Sequence, residues 1–305
     1  MEFSIIVPTR NRYVLLKKHL DRLLFLDYPK DKYEVIVVNN SAEDDQTQIY
    51  LRELSKKHKN FRFHQEMRLG PSFARNAGIK MAKYPFHILI DDDIEVKKTL
   101  LKEFVLAWQK HSKAIAIGGK IIAKPTIGQL GEKQERLITK HSWVFGQQDK
   151  GSQEVQIQKG EMLCSGTLGL HQKEKNLILF DHRLGISLNP DTILYGEDSE
   201  LCTRLFLNKH EIWYVPDIIT INHFNRQRLT DKYLSKRYFT NGLEIYLADS
   251  ILKKHFPHYD SSYGIRLKQE LTKLLFFNFS VFKKYIRTKY DFIMIFSYFF
   301  CGRYF

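Results

Sequence analysis

The stretch HILIDDDIEV, residues 87–96, places an apolar run directly before three consecutive carboxylates, Asp91, Asp92 and Asp93. A short apolar run that ends at polar residues indicates a buried β-strand. Like charges a few Å apart repel by roughly 1 kcal/mol in water and by more beside an apolar wall. Two interpretations are therefore open: the acids form a solvated loop that opens a helix over about residues 98 to 110, or they surround a cation.

The chain before this strand alternates between strand and helix patterns. Apolar runs occur at residues 3–8, 33–38 and 61–63, and each is followed by a segment with apolar residues at helical spacing. This βαβαβαβ order predicts an α/β fold of the Rossmann-like type, with a mainly parallel sheet flanked by helices. The middle of the chain, 118–196, is less periodic, and we expect long loops and short strands there. The helical pattern returns at about residue 197.

Unusual polar residues follow the strands of this expected sheet. They are Pro8-Thr9-Arg10-Asn11, Asn39-Asn40-Ser41 and Asp91-Asp92-Asp93. In open α/β sheets, ligands bind at the carboxyl ends of the strands. Hard cations such as Mg²⁺ and Mn²⁺ bind one or two carboxylates together with substrate phosphates. The position of these residues favours a ligand site. One role open to it is that Asp91 and Asp93 hold a metal ion that bridges a diphosphate, for which a DxD pattern alone is weak evidence because short acidic runs are common.

Composition limits the class of protein. The chain has 305 residues, 43% of them hydrophobic and 27% charged, which is typical of a soluble protein with one large or two smaller domains. Its net charge of +14 predicts an acidic partner, which is a nucleic acid, an anionic membrane surface or a phosphate-bearing ligand. Three widely spaced cysteines and no signal-peptide pattern favour a cytoplasmic location.

A second acidic pair lies in YGEDSELCTRL, residues 195–205. Glu197 and Asp198 follow Gly196 and open a predicted helix, where acidic residues complement the helix dipole. On spacing alone this structural interpretation is favoured. The alternative is that one carboxylate acts as a general base and accepts the proton of a hydroxyl group.

Taken in order, these motifs resemble those of family 2 glycosyltransferases, which are inverting enzymes of the GT-A fold that use nucleotide-diphosphate sugars. The resemblance covers about residues 3 to 242 and is carried by PTRNR (8–12), VIVVNNS (35–41), GPSFARNAGI (70–79), ILIDDDIEV (88–96), GEDSELCTRL (196–205) and His223. It implies sugar transfer to a glycan or lipid-linked acceptor, in cell-surface polysaccharide or glycolipid synthesis.

The resemblance also implies roles for individual residues. Asp198 would be the catalytic base, and Asp93 and His223 would be ligands of Mn²⁺ or Mg²⁺. Asp92 fills the variable middle position of the DxD motif and has no direct contact assigned to it. The donor-binding set would be Pro8, Thr9, Arg10, Asn39, Arg75, Asp91, Asp92, Arg226 and Arg228.

One position departs from the family pattern, because Asn39 replaces the usual Asp at the position expected to contact the base. An amide offers both a donor and an acceptor, whereas an ionised carboxylate only accepts. The identity of the nucleotide is thereby put in question, with UDP or dTDP favoured over GDP.

Several candidates keep two interpretations. Arg226 and Arg228 lie in the basic segment 222–242 and form either a solvated surface or a diphosphate contact, for which the planar guanidinium is suited. Trp143 either stacks on an acceptor sugar or fills the core. Gly166 either allows close approach of the acceptor or marks a turn. With Glu197, these two form the predicted acceptor side.

The predicted organisation is a catalytic domain over residues 1–242, with a nucleotide-binding half (about 1–118) and an acceptor half (about 119–242). Residues 243–305 form a helical extension, in which 265–305 hold 13 Phe or Tyr and eight Lys or Arg. This block either packs on the domain or binds an anionic membrane as a peripheral segment.

Two other functions remain as alternatives. One is a catalytically inactive module that binds nucleotide sugars. The other is a nucleic-acid-binding protein, which is disfavoured because the sequence has no helix-turn-helix, zinc-finger or RNP motif. The absence of GxGxxG after the first strand and of a P-loop disfavours a dehydrogenase and a P-loop nucleotidase.

Overall fold

The computed structural model of the chain describes residues 1–41, 45–174, 176–189 and 192–259, together with residue 297. The strands in this part of the chain are β1 (Phe3–Thr9), β2 (Tyr33–Asn39), β3 (Phe61–Gln65), β4 (Phe86–Ile90), β5 (Ile94–Val96), β6 (Ala114–Pro125), β7 (Val155–Gln156), β8 (Thr167–His171), β9 (Ile186–Asn189), β10 (Thr192–Leu194) and β11 (Glu211–Phe224). The α-helices are α1 (Tyr13–Leu24), α2 (Asp45–Lys57), α3 (Pro71–Met81), α4 (Leu100–Lys110), α5 (Glu132–Lys140), α6 (Glu197–Leu207) and α7 (Asp231–His255).

The predicted α/β fold with a mainly parallel sheet is confirmed. Among the described residues, nine strands form one sheet in the order β3-β2-β1-β4-β8-β6-β11-β5, with β7 paired to β11. β1 pairs in parallel with β2 and β4, and β6 pairs in parallel with β11. β8 runs antiparallel between β4 and β6 and so joins the two parallel parts. The carboxyl ends of β1, β2 and β4 therefore lie at one edge of the sheet.

The alternation of side chains along β1 explains why helices cover both faces. Phe3, Ile5 and Val7 belong to a core that includes residues of α1, α2 and α4, whereas Ile6 belongs to a core with α3 and α6. Burial of each such side chain stabilises the fold by roughly 1.5–3 kcal/mol. α3 lies directly on β1, because a Cβ atom at Gly78 would be 2.3 Å from Cγ2 of Ile6.

Two expectations for the second half are met only in part, since β7 to β10 are short strands and α6 starts at Glu197, but two long strands were not expected. β6 is a strand of 12 residues that extends into the segment expected to hold loops and short strands. The helical pattern expected from residue 197 ends with α6, and β11 follows as a strand of 14 residues. Both strands are formed by pairing with each other, which is a non-local contact that periodicity does not report.

The domain boundaries stay predictions. Residue 118 lies within β6 and residue 242 lies within α7, which continues without a break to His255. The aromatic and basic block 265–305 falls outside the described residues except for position 297. Across the described ranges, none of the helices has the length and apolarity that a bilayer crossing requires.

Candidate active site

The site forms where β1, β2 and β4 end. Thr9 at the end of β1 pairs in register with Asn39 at the end of β2, and Asp91 follows directly after β4. Asn40 follows Asn39, and its side-chain Oδ1 accepts a hydrogen bond from the main-chain N–H of Gly70 at 2.7 Å. This bond fixes the start of α3 beside the ends of these strands. Parallel pairing thus brings together the three polar groups that the sequence places after separate strands.

Arg75 joins the acidic trio, Asp91-Asp92-Asp93, to the later acidic pair. Its Nη2 donates to Oδ1 of Asp91 at 2.9 Å, and its Nη1 donates to Oε1 of Glu197 at 2.8 Å. The Arg75 side chain is only 6% exposed. Burial alone would lower the pKa of Arg75, but the charges of Asp91 and Glu197 outweigh it and raise the pKa. Two acidic segments more than 100 residues apart in the chain therefore face the same space.

Asp198 is held by the turn that precedes β8. Its Oδ2 accepts a hydrogen bond from the main-chain N–H of Ser165 at 3.0 Å. Its Oδ1 is shielded from solvent and has no partner among the described residues. Burial raises the pKa of Asp198, and the charge of Arg75 partly offsets this. One oxygen is therefore fixed in place and the other is available to a ligand.

Gly166 ties this turn to the trio. Its carbonyl oxygen accepts a hydrogen bond from the main-chain N–H of Asp91 at 3.2 Å. A Cβ atom at Gly166 would lie 3.6 Å from Oδ2 of Asp91, so a larger side chain would reduce the space beside that carboxylate. Glu197 occupies the same region, and burial followed by the charge of Asp198 raises its pKa to about 7.

Arg12 occupies the other side of the trio. Its Nη1 lies 2.8 Å from Oδ1 of Asp92 and 3.1 Å from Oδ2 of Asp93. Oγ1 of Thr9 also donates to Asp92, at 2.8 Å. Burial and the charge of Asp92 raise the pKa of Asp93 to about 7, while Arg12 and Arg228 act in the opposite direction. Arg12 belongs to the PTRNR motif, but the motif predicts no role for it.

The ring of His223 points to a different partner from the one predicted. Its Nε2 lies 2.8 Å from Oε2 of Glu95, and its ring packs on His19 with centroids 5.3 Å apart. Only its main-chain N–H contacts the trio, by donating to the carbonyl oxygen of Asp93 at 3.0 Å. Within the described ranges, no three or more His, Cys, Asp or Glu side chains are grouped so as to hold a metal ion.

The two predicted diphosphate arginines lie in different surroundings. Arg226 donates to the carbonyl oxygen of Gln129 at 2.9 Å and to Oε1 of Gln134 at 3.1 Å, which anchors the segment near α5. Arg228 is near enough to Asp93 for its charge to lower the pKa of that carboxyl. Of the two, Arg228 is therefore the one whose charge acts on the acidic trio.

The predicted nucleoside side contains one unsatisfied buried group. Asn39 is fully buried, and neither its Oδ1 nor its Nδ2 has a hydrogen-bond partner among the described residues. Pro8 pairs in register with Val38, and half-buried Arg10 follows the end of β1. A buried amide without a partner costs roughly 1–3 kcal/mol, so this position has the chemistry of a ligand contact.

Trp143 is part of a partly exposed aromatic cluster. Its ring is 5.0 Å from the guanidinium of Arg237, which also lies 4.9 Å from the ring of Tyr195. Trp143 is 36% exposed and Tyr195 is 37% exposed. Since Tyr195 directly precedes Gly196 and the acidic pair, the cluster borders the site next to Glu197 and Asp198.

A comparison with protein families assigns the chain. The model described as Glycosyl transferase family 2 matches residues 4–173, which is more than half of the sequence. The chain belongs to glycosyl transferase family 2. The matched region contains β1 to β4, the trio and Arg75, whereas Asp198 and His223 of this family 2 chain lie beyond it.

Curated relatives of this family 2 protein are similar over part of their length. TarS of Staphylococcus aureus, a poly(ribitol-phosphate) β-N-acetylglucosaminyltransferase, is 29% identical over 117 residues, which are 38% of this chain and 20% of TarS. The GalNAc(5)-diNAcBac-PP-undecaprenol β-1,3-glucosyltransferase of Campylobacter jejuni is 34% identical over 97 residues, which are 31% of this chain and 30% of that protein. The alignments thus span well under half of each relative.

Solved structures share the fold of this family 2 protein. The mannosyltransferase PcManGT from Pyrobaculum calidifontis, in complex with GDP-Man and Mn²⁺, has a TM-score of 0.58 at 17% identity, covering 81% of this chain and 64% of that one. A fragment of S. aureus TarS with UDP-GlcNAc has a TM-score of 0.55 at 20% identity, covering 90% of this chain and 78% of that one. At such identities the likeness establishes the GT-A type of fold alone.

Proposed function

We propose that this chain moves a sugar from a nucleotide-diphosphate donor to an acceptor hydroxyl, with inversion at the anomeric carbon. The observation that carries the proposal is the bridge of Arg75 between Asp91 and Glu197. It brings the end of β4, where ligands of α/β sheets bind, to the carboxylates that start α6. A sugar donor bound at the strand ends and a catalytic base on α6 would then lie next to the same anomeric carbon.

The donor side is proposed around Asp91 and Asn39. Asp91, with its side chain 33% exposed, would accept hydrogen bonds from the ribose hydroxyls. The amide of Asn39, which has no partner among the described residues, would contact the nucleobase of the donor. Its donor and acceptor together match the hydrogen-bonding edge of uracil or thymine. Pro8, Thr9 and Arg10 would line the same pocket. We therefore favour UDP or dTDP over GDP.

The acidic trio is proposed to bind a divalent cation. Asp91 and Asp93 offer carboxylate oxygens, the ligands that Mg²⁺ and Mn²⁺ prefer, and the raised pKa of Asp93 marks a carboxylate that gains from added positive charge. Asp93 would hold the ion, and the ring of His223 would have to leave Glu95 to act as a second ligand. Bound there, Mn²⁺ or Mg²⁺ would neutralise charge on the departing diphosphate. Arg228, and Arg226 if its segment moves, would contribute positive charge at the same place.

Asp198 is proposed as the base. Its Oδ2 is fixed by Ser165, which leaves Oδ1 to accept the proton of the acceptor hydroxyl. Burial raises its pKa and makes it a stronger base than a surface aspartate, and the charge of Arg75 opposes that rise. The acceptor oxygen then attacks from the face opposite the diphosphate, and this single displacement inverts the anomeric carbon.

The acceptor is proposed to be a glycan or a lipid-linked glycan of the cell surface. The names of the relatives, which refer to poly(ribitol-phosphate) and to an undecaprenol-linked oligosaccharide, support this class. Trp143 would stack on an acceptor ring, and Gly166 and Glu197 would border the reacting hydroxyl. A cytoplasmic protein that binds peripherally to the inner face of the membrane through residues 265–305 would meet such an acceptor.

Two substitutions test the proposed roles. Asp93→Ala should abolish the dependence of donor binding on the metal, because it removes the proposed ligand. Asp198→Asn should keep donor affinity and lower transfer by about 10²- to 10⁴-fold, because an amide does not take up the proton. Binding is measured as the thermal shift with a panel of nucleotide sugars and Mn²⁺ or Mg²⁺, and transfer as release of the nucleotide.

Asp27→Asn is the matched control, since it removes one carboxylate that pairs with Lys102 on the surface. It should change neither quantity. Near-normal transfer by Asp198→Asn would show that another group is the base. If the wild-type protein binds a donor but turns over no acceptor, the inactive binding module is favoured. If it binds none of the nucleotide sugars in the panel, the proposal is contradicted.

A further inference from the structure

Arg12 is placed where a bound cation would be expected. A single nitrogen, Nη1, contacts both Oδ1 of Asp92 and Oδ2 of Asp93, at 2.8 and 3.1 Å. The two carboxylates are 4% and 9% exposed, whereas the Arg12 side chain is 42% exposed. The guanidinium therefore covers a buried acidic pair from the solvent side.

The contacts of Asp92 and Asp93 with this arginine are unequal. Asp92 has its second oxygen fixed by Thr9 at 2.8 Å, and it makes the shorter bond to Arg12. Asp93 makes the longer bond, and it is the proposed ligand of the divalent cation. A cation bound to Asp93 would lie next to the guanidinium, and the two positive charges would repel each other in this poorly solvated place.

We propose that Arg12 is the resident counter-cation of the Asp92–Asp93 pair, and that a divalent cation binds tightly only when Arg12 leaves Asp93 while staying on Asp92. The middle aspartate of the DxD motif thereby acquires a role, because it retains the displaced arginine. The inference rests on the cation site of the proposed function. It adds that the chain carries its own competitor for that site.

The displaced position also has a partner of suitable charge. Arg12 lies on the solvent side of the trio, so its released N–H groups would face an anionic ligand placed over the strand ends. A guanidinium binds phosphate oxygens with two parallel hydrogen bonds. The donor diphosphate would thus stabilise the open arrangement, and cation and donor would bind together rather than the cation alone.

Binding of Mn²⁺ in the absence of any nucleotide tests the proposal. Electron paramagnetic resonance of free Mn²⁺ gives the dissociation constant for the wild-type protein, Arg12→Gln and Arg12→Lys. Arg12→Gln should bind Mn²⁺ at least about tenfold more tightly than the wild type, because it removes a nearby positive charge. Arg12→Lys keeps the charge and should bind as weakly as the wild type.

Arg62→Gln is the matched control. Arg62 is also half-exposed and pairs with a buried carboxylate, that of Glu34 at 3.0 Å, and this ion pair involves neither the trio nor His223. Equal tightening by Arg62→Gln would assign the effect to net charge and overturn the proposal. The proposal is also overturned by unchanged or weaker binding in Arg12→Gln, or by binding in Arg12→Lys that matches Arg12→Gln.

A repeat of the titrations with UDP separates this inference from the proposed function. If the wild-type protein binds Mn²⁺ with UDP and Arg12→Gln gains nothing in the titration without nucleotide, the proposal for Arg12 fails and the cation site stands. If neither protein binds Mn²⁺ with or without UDP, the cation site itself is wrong and the role of Arg12 falls with it. Circular dichroism confirms that each variant is folded.

Discussion

Two arginines each join a pair of carboxylates in the candidate site, but they differ in exposure and in what they connect. Arg75 is 6% exposed and links Asp91 to Glu197, which belong to distant parts of the chain. Arg12 is 42% exposed and links the adjacent residues Asp92 and Asp93. Both bridges have distances near 3 Å. Solvent access, rather than distance, separates them.

The difference indicates which bridge is permanent. Water cannot replace Arg75, so its removal would leave the buried carboxylate of Glu197 without its partner. The exposed side of Arg12 lets water, a cation or a phosphate compete with its ion pairs. We infer that Arg75 holds the site together and that Arg12 is the part that ligands move.

The largest expected effect is on stability. Arg75→Met should lower the free energy of unfolding by about 3–5 kcal/mol, because one partner of a buried ion-pair network is removed. Arg12→Met should lower it by about 1 kcal/mol or less, because the pair is partly solvated. Urea denaturation at neutral pH measures both changes. Equal losses would break the distinction between the two bridges.

The second effect concerns pH. Burial raises the pKa of Asp198 and the charge of Arg75 opposes this, so the base loses its proton at a lower pH when Arg75 is present. Since the base acts only when ionised, kcat should fall about tenfold per pH unit on the acid side of that pKa. Arg75→Gln should move this acid limb to higher pH, whereas Arg75→Lys and Arg12→Gln should leave it in place.

The sign for stability is opposite. A carboxyl whose pKa is raised on folding binds more protons in the folded than in the unfolded state, so its ionisation lowers the free energy of unfolding as pH rises above about 4. Asp198→Asn should therefore be more stable relative to the wild type at pH 8 than at pH 5. For the rate, a pH profile of kcat that is the same for Arg75→Gln and the wild type would contradict the assignment of Asp198 as the catalytic base next to Arg75.

The smallest expected effect is at Trp143, which packs against a third arginine, Arg237, on the proposed acceptor side. Arg237 is fixed by Glu244 at 2.8 Å and stacks on Trp143. Trp143→Ala should raise the KM for the acceptor roughly fivefold through loss of about 1 kcal/mol of stacking, with the KM for the donor unchanged. Phe25→Ala, which removes another exposed ring, is the control. A change confined to the donor KM would move Trp143 to the other side of the site.

Local patterns predicted the first half of the chain well. β1, β2 and β4 and the helices α1 and α3 lie where periodicity places them, because each buries a face that recurs at the strand or helix period. β11 was missed although it is the longest described strand. Buried and half-buried residues alternate along β11. The buried face of the strand exists only because β6, β5 and β7 pair with it.

The sequence predicted the acidic residues of the site, but it did not predict the contacts that they make. The trio and the Glu197–Asp198 pair are visible as charges at element boundaries. Arg12 and Ser165 are not, because an arginine in a loop and a main-chain N–H in a turn have no distinctive sequence pattern. The separation of Arg228 from Arg226 likewise depends on which way a short 3₁₀ helix, Arg226–Leu229, turns its side chains.

By itself, the sequence determined the α/β class, the order of the motifs and the residue types that carry the proposed chemistry, because these depend on local periodicity and on spacing along the chain. The tertiary structure alone decided that Arg75 connects Asp91 to Glu197. It also decided that the ring of His223 pairs with Glu95, and that Arg12 covers the Asp92–Asp93 pair. These contacts join residues far apart in the chain, and their strength depends on solvent exclusion. Packing around the sheet creates that exclusion, which no linear pattern records.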